Sequence, residues 1–267
     1  EPVIEALSKK YSKLYVFSKY NVVFENYPIG NVIFKNKLNF TEKVIMNLER
    51  IFKTSIWFKN LDGAYERDPK CHLLEAYRRK LSLDFTLRYP KLYLTQSEKL
   101  GSKMDRKYVV LHLESFSGKN YRMVYGISWE KVVEFFNNAG FMVYQIGKEK
   151  QPIEGTIYQS TNIRDMISLI NGASLFVGID SGPSHIAASI GIPAVIFFGA
   201  VNPQFRHLME YFNGEILQPY CEYAFCYHES GYLKEVSCKL VGDNGIPPCS
   251  KHDTTRVINK IGVILSK

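Results

Sequence analysis

Two rhythms of apolar and polar positions run through the chain. Short apolar runs, Leu14–Phe17, Asn31–Phe34, Tyr108–Leu113, Phe141–Gly147, Leu175–Val177 and Val195–Phe198, are too brief for helices and read as strands. Between them apolar residues recur at three- and four-residue spacing. Ile4, Leu7 and Tyr11 mark a helix over residues 1–11 with Pro2 near its start. Val22–Phe24 anchors a short helix, Asn60–Gly63 makes a turn, and residues 64–83, carrying His72, read as a helix after Pro69. Trp129, Val132, Val133 and Phe136 give a helix over Trp129–Asn138. A further helix spans Thr161–Gly172, capped by Thr161 or Asn162 and ended by Gly172, and a last one covers 253–267 on Val257, Ile261 and Ile264. Strands alternating with helices predict an α/β chain with parallel sheet, and from Tyr108 onward the order is that of a Rossmann-like half.

The most informative stretch is Leu175–Gly199, LFVGIDSGPSHIAASIGIPAVIFFG. Two apolar runs bracket a polar loop and a helix of small residues, with Gly191 as its stop. A loop at the carboxyl end of a parallel strand, leading into a helix, is where ligands bind in such sheets. Asp180, Ser181, Gly182, Pro183, Ser184 and His185 occupy it, and the backbone N–H groups at Ser181, Gly182 and Ser184 suit a phosphate. The plain alternative is that Asp180 or Ser184 only caps the helix; His185 and the small residues after it favour a ligand. A second polar loop, Glu114–Arg122, follows the strand at Tyr108. Ser115, Ser117, Gly118, Lys119 and Arg122 there supply hydroxyl, backbone and cationic donors suited to a diphosphate, with solvated-loop serines as the alternative.

Composition narrows the class. The chain has 267 residues, enough to bury one large core or two small ones, and a net charge of +8. Its basic residues are dispersed, with no nucleic-acid motif, so nucleic acid is not an expected partner. No run of about eighteen apolar residues is present, and the start lacks a secretion-signal pattern. A cytoplasmic enzyme fits best, with the excess of Lys and Arg compatible with peripheral attachment to an anionic membrane face.

Residues 178–199, GIDSGPSHIAASIGIPAVIFFG, resemble the donor-loop signature of the family-9 glycosyltransferases, the heptosyltransferase-like group: Asp-Ser/Thr-Gly, then Ser/Pro-His and a small-residue helix ending in Gly-Ile/Val-Pro. The resemblance implies a GT-B fold, two Rossmann-like domains facing across a cleft. Here these are an N-terminal acceptor-side domain over 1–100, apparently lacking its first strand, and a nucleotide-sugar domain over 101–267. Tyr89–Leu94 resembles the linker strand between such halves, and the final helix is expected to return across the cleft. It further implies that Asp180–His185 grip the diphosphate and sugar of a nucleotide-sugar donor, with Lys119 or Arg122 on the phosphate or sugar. Asn202 lies in a small-x-x-Pro turn lining the pocket, and Arg206 is a second-rank candidate beside it. The implied reaction moves a sugar, heptose among the possibilities, to a glycan, lipid-linked or protein acceptor with inversion and no divalent metal. The general base in relatives is an Asp in a loop expected upstream of Glu1, so no catalytic residue is assigned. Two rivals stand beside this: a GT-B-fold binding or assembly protein without activity, and a hydrolase or epimerase of the nucleotide-sugar.

Cys221, Cys226, Cys238 and Cys249 fall in one loop-rich segment near His228 and His252. Four thiols in a reducing compartment suit a structural metal, zinc or iron, although the spacing is not that of paired CxxC motifs. Buried free thiols and disulfide bridges are the alternatives, and Cys71, standing alone, is expected to be buried.

Overall fold

The computed structural model describes residues 1–52, 59–61, 63–101, 107–115, 120–148, 151–229, 238–242 and 244–266, and the chain divides into two compact units, Glu1–Tyr93 and Leu94–Lys267. In the first unit α1 (Pro2–Lys10) buries Val3 and Leu7 against Leu81. The strands β1 (Leu14–Phe17) and β2 (Val32–Lys35) pair in parallel, Leu14 opposite Val32. Asn31 ties that sheet to the helix, its amide donating to the carbonyls of Ser8 and Tyr11 at 2.8 Å each. The mixed apolar and basic stretch after β2 forms α2 (Phe40–Phe52).

The single helix expected over 64–83 is two: α3 (Ala64–Arg67) and α4 (Leu73–Leu81). Pro69 lacks an N–H and forces the break. His72 caps α4, its Nδ1 accepting from the Leu74 N–H at 3.1 Å, so this histidine is structural. Cys71 is buried beside the break, and burial pushes its thiol up to about 11. Tyr89–Leu94 carries no strand pairing. Arg88 instead binds the carboxylates of Glu1 and Glu5.

The second unit opens with α5 (Gln96–Gly101), which belongs here because Glu98 pairs with Arg164 and its carbonyl accepts from Ser168 Oγ at 2.6 Å. The elements that follow are β3 (Tyr108–His112), α6 (Trp129–Asn138), β4 (Met142–Ile146), β5 (Ile157–Gln159), α7 (Ile163–Asn171), β6 (Leu175–Ile179), α8 (Gly182–Ile190), β7 (Ala194–Phe197), β8 (Gly214–Leu217) and α9 (Thr254–Leu265). Asn162, not Thr161, caps α7 through its side chain. The six strands are all parallel, in the order β5-β4-β3-β6-β7-β8. The chain builds outward from β3 through β5, then starts again at β6 on the other side. That reversal between β3 and β6 is the topological switch point where doubly wound sheets hold ligands. The core beneath it is Val109, Leu111, Val177, Ile179 and Val195, all at or below 1% exposure, covered on one face by Val132 and Phe136 of α6 and Val257 and Ile261 of α9.

Candidate functional site

The site is at the carboxyl ends of β3 and β6. The two strands close tightly there because residue 178 is Gly: a Cβ on it would lie 2.7 Å from the His112 carbonyl oxygen. The loop into α8 is then braced from within. Ser184 is fully buried, donates to the Ser181 carbonyl at 2.7 Å and accepts from the Ser181 N–H at 3.1 Å. Its hydroxyl therefore shapes the loop, and the Ser181 N–H is already occupied. Pro183 sits in the first turn and brings no N–H, while Gly182 opens the helix. Ser181 Oγ donates to the Ile179 carbonyl at 3.1 Å and lies 3.2 Å from His112 Nδ1. With the hydroxyl proton spent on Ile179, that Nδ1 carries its own. Burial pushes His112 down to about 4, so it is neutral at pH 7.

Asp180 does not cap the helix. Its carboxylate, 7% exposed, faces Arg122 Nη2 at 3.1 Å, His185 Nε2 at 3.7 Å and Arg206 Nε at 3.8 Å. His185 is supplied by the same loop, five positions on, whereas Arg122 and Arg206 are 58 and 26 positions away, so topology and not a local motif gathers the two arginines. The His185 ring stacks on His207 with centroids 4.7 Å apart and planes 15° from parallel. His207 is buried, edge-on to Phe198. Burial lowers the His185 pKa, Asp180 works against it, and Arg206 and Arg122 reinforce it.

The turn after β7 supplies the opposite wall. Gly199 is required by close approach, because a Cβ there would come within 1.9 Å of the Tyr121 carbonyl oxygen. Asn202 uses its side-chain oxygen to accept from the Gln204 N–H at 3.0 Å, capping the turn Pro203–Phe205, and its own N–H donates to His228 Nε2 at 2.8 Å. Arg206 lies over the Tyr227 ring at 5.7 Å. Of the second polar loop, Arg122 reaches Asp180, whereas Ser117 and Lys119 lie outside the described residues. Glu114 is turned to the β4 side, accepting from the Lys148 N–H at 2.6 Å.

Two guanidiniums meet one carboxylate at the start of a helix, so cations outnumber the anion among these groups. Such a set binds phosphate oxygens in forked geometry. Sequence reasoning found Asp180, His185 and Arg122, with Arg206 as a second-rank candidate, but gave no role to His112, His207 or Tyr227. A lone histidine ending a strand was the single local signal for the first of these.

The four cysteines are free thiols. Burial, then the neighbouring thiols, raises Cys249 to about 11 against a bond from Ser250, and burial likewise raises Cys226. Yet among the described residues no three His, Cys, Asp or Glu side chains are arranged to hold a metal. Among the described residues, then, the expected structural zinc or iron centre is not assembled. His228 is turned away to Asn202, and His252 packs edge-on against Phe197 at 4.8 Å.

Comparison with known proteins agrees with this architecture. The sequence model of glycosyltransferase family 9 (heptosyltransferase) matches residues 70–217, more than half of the chain. Lipopolysaccharide heptosyltransferase 3 of Escherichia coli K12 is 41% identical over 59 residues, a stretch that covers 22% of this chain and 17% of that relative. Among solved structures, the iron-containing dodecameric glycosyltransferase TibC of enterotoxigenic E. coli superposes with a TM-score of 0.71 at 15% identity, covering 100% of this chain and 74% of TibC. A family-9 glycosyltransferase from Veillonella parvula gives 0.66 at 16% identity, covering 99% of this chain and 92% of its own. At these identities the likeness is one of fold, the parallel-sheet α/β architecture of GT-B glycosyltransferases. Family model, fold and the loop at Asp180 converge: the chain belongs to glycosyltransferase family 9, the heptosyltransferase family.

Proposed function

We propose that this chain is a glycosyltransferase whose second unit binds a nucleotide-diphosphate sugar at the switch point between β3 and β6. The observation that carries the reading is the pairing of Arg122 and Arg206 on Asp180 beside the start of α8. A diphosphate leaving group gains charge as the glycosidic bond to the donor breaks. Preformed cations and the Gly182 N–H stabilise that charge, a contribution of about 3–4 kcal/mol if each acts like one oxyanion donor. No step requires a divalent metal. His185, neutral at pH 7, is placed to exchange hydrogen bonds with a phosphate oxygen or a sugar hydroxyl. TibC has been solved with ADP-D-β-D-heptose, which makes an ADP-linked heptose the first donor to test. The acceptor is a glycan, lipid-linked or protein hydroxyl, attacked with inversion.

The same reading has the protein work at the cytoplasmic side of a membrane, and α2 supports it. No helix among the described residues is long and apolar enough to cross a membrane. However, α2 leaves Phe40 82% and Ile51 69% exposed, with Val44, Ile45 and Leu48 also open. Residues 1–93 hold 17 Lys and Arg against 10 Asp and Glu, while the rest of the chain has 17 against 16. An apolar helix face on a basic unit suits an anionic lipid surface. The cysteine cluster remains the candidate for a structural metal, which elemental analysis of the purified chain tests directly.

Calorimetric titration with ADP, GDP, UDP and their sugars tests the donor site. One nucleotide should bind, and Asp180→Ala and His185→Ala should each weaken it about tenfold, or about 1.4 kcal/mol. Absence of binding by all of them to folded protein refutes the reading and favours a family member that kept the fold without the activity.

A further inference from the structure

Within the cysteine-bearing segment after β8, the 3-10 turn Cys226–Glu229 lies against the turn at 199–206 that carries Arg206. The Tyr227 N–H donates to the Ala200 carbonyl at 3.3 Å. His228, 3% exposed, accepts from the Asn202 N–H and sets its ring edge-on to Phe205 at 4.8 Å. The Tyr227 ring lies under the Arg206 guanidinium and against Tyr121, 6.1 Å between centroids. Tyr121 immediately precedes Arg122. One aromatic ring thus touches both arms that carry the arginines of Asp180. The residue leading into this turn, Phe225, has φ 68°, a conformation that a bulky side chain adopts only when its surroundings impose it.

We infer that Tyr227 and His228 are positioning residues of the donor site: Tyr227 holds the Arg122–Asp180–Arg206 group in register, and His228 fixes the turn from which Arg206 projects. The inference rests on the donor reading above and extends it, because it makes the cysteine segment a working wall of the phosphate pocket. Without Tyr227 the Arg206 guanidinium loses the ring face it lies over at 5.7 Å, one of the contacts that set its plane. An unfixed guanidinium gives up ordering entropy each time it meets phosphate.

The test compares Tyr227→Leu, Tyr227→Phe and His228→Leu with wild type in two measurements. The first needs no ligand: the Nε–Hε resonance of Arg206 by NMR, and amide exchange at Asn202. Tyr227→Leu should move the Arg206 resonance as the ring current is lost, and Tyr227→Phe should leave it in place. His228→Leu should speed Asn202 exchange about tenfold, the loss of one hydrogen bond. The second measurement is calorimetric affinity for ADP. Tyr227→Leu should weaken it about five- to tenfold, while Tyr227→Phe retains it. An unmoved Arg206 resonance in Tyr227→Leu overturns the inference, and so does unchanged ADP affinity when the resonance does move. If wild type binds no nucleotide, the donor reading fails, and the resonance still decides whether Tyr227 holds the guanidinium.

Discussion

Asp180→Asn removes one negative charge and almost no volume, so it isolates the electrostatic part of the site. The carboxylate is 7% exposed and sits between two cations at 3.1 and 3.8 Å. At an effective dielectric of about 20, two unit charges about 4 Å apart attract by about 4 kcal/mol. Part of that is offset by the cost of desolvating the ions. Removing one partner of a buried pair typically costs about 3–5 kcal/mol, since the other charge is left uncompensated. Arg206 is 9% exposed, whereas Arg122, at 29%, recovers some hydration. We therefore expect a loss near the lower end, about 3 kcal/mol. The assay is urea unfolding followed by Trp129 fluorescence, because that ring packs edge-on to Phe197 in the second unit, 5.7 Å between centroids. A Trp57→Phe background removes the other tryptophan. A loss under about 1 kcal/mol, the range of solvent-exposed pairs, would refute the claim that Asp180 is an ionic hub. A double-mutant cycle with Arg206→Gln tests the same claim independently: effects that add within about 0.5 kcal/mol mean the two groups do not interact.

Gly199→Ala should destabilise the second unit by about 1–3 kcal/mol in the same urea assay, since its Cβ would press on the Tyr121 carbonyl oxygen and the segments must part. Stability should also fall as pH drops from 6.5 toward 4. Burial holds His112 and His252 at about 4 in the folded chain, against 6.5 for the free side chain. The unfolded chain therefore binds more protons in that window, and each histidine contributes up to about 3 kcal/mol that is fully present above pH 6.5. His112→Asn should flatten the dependence of the urea midpoint on pH, and an unchanged slope would count against its buried neutral state. Glu98 acts lower on the scale. Its bond to Arg164 holds it at about 2, so its contribution is present above pH 4.5 and fades toward pH 2. Glu98→Gln should remove the portion of the acid transition below pH 4.5.

What was legible in the sequence shares one property: the residues concerned are consecutive. The loop Asp180–His185, the stop at Gly191 and the helix Trp129–Asn138 depend on neighbours within a turn or two, and they appear where the pattern placed them. Pro69 shows the limit of periodicity, because the apolar spacing of 64–83 runs through a residue that cannot continue a helix. The strands β5 and β8 escaped notice because they lie at the sheet's two edges, where three or four residues suffice and the apolar run is short. Helix α2 is different: Phe40, Val44, Ile45, Leu48 and Ile51 do recur at helical spacing, so its signal was present in the sequence, and the structure leaves that stripe exposed.

The proposed donor site divides along the same line, and the division changes the role proposed for its central residue. Read in the sequence, Asp180 is a ligand for the donor, because only its immediate neighbours are visible. In the fold its carboxylate is taken by Arg122 and Arg206, and a carboxylate so engaged meets a diphosphate by like charge. Its contribution is to hold two cations closer together than they would otherwise stay, at a helix start that also favours anions. The arginines arrive from opposite sides of the switch point, one before α6 and one after β7, and Tyr227 touches both arms, through Tyr121 on one and Arg206 itself on the other. An aspartate flanked by small residues can be found by motif. Its function here is fixed by partners that only the strand order brings to it.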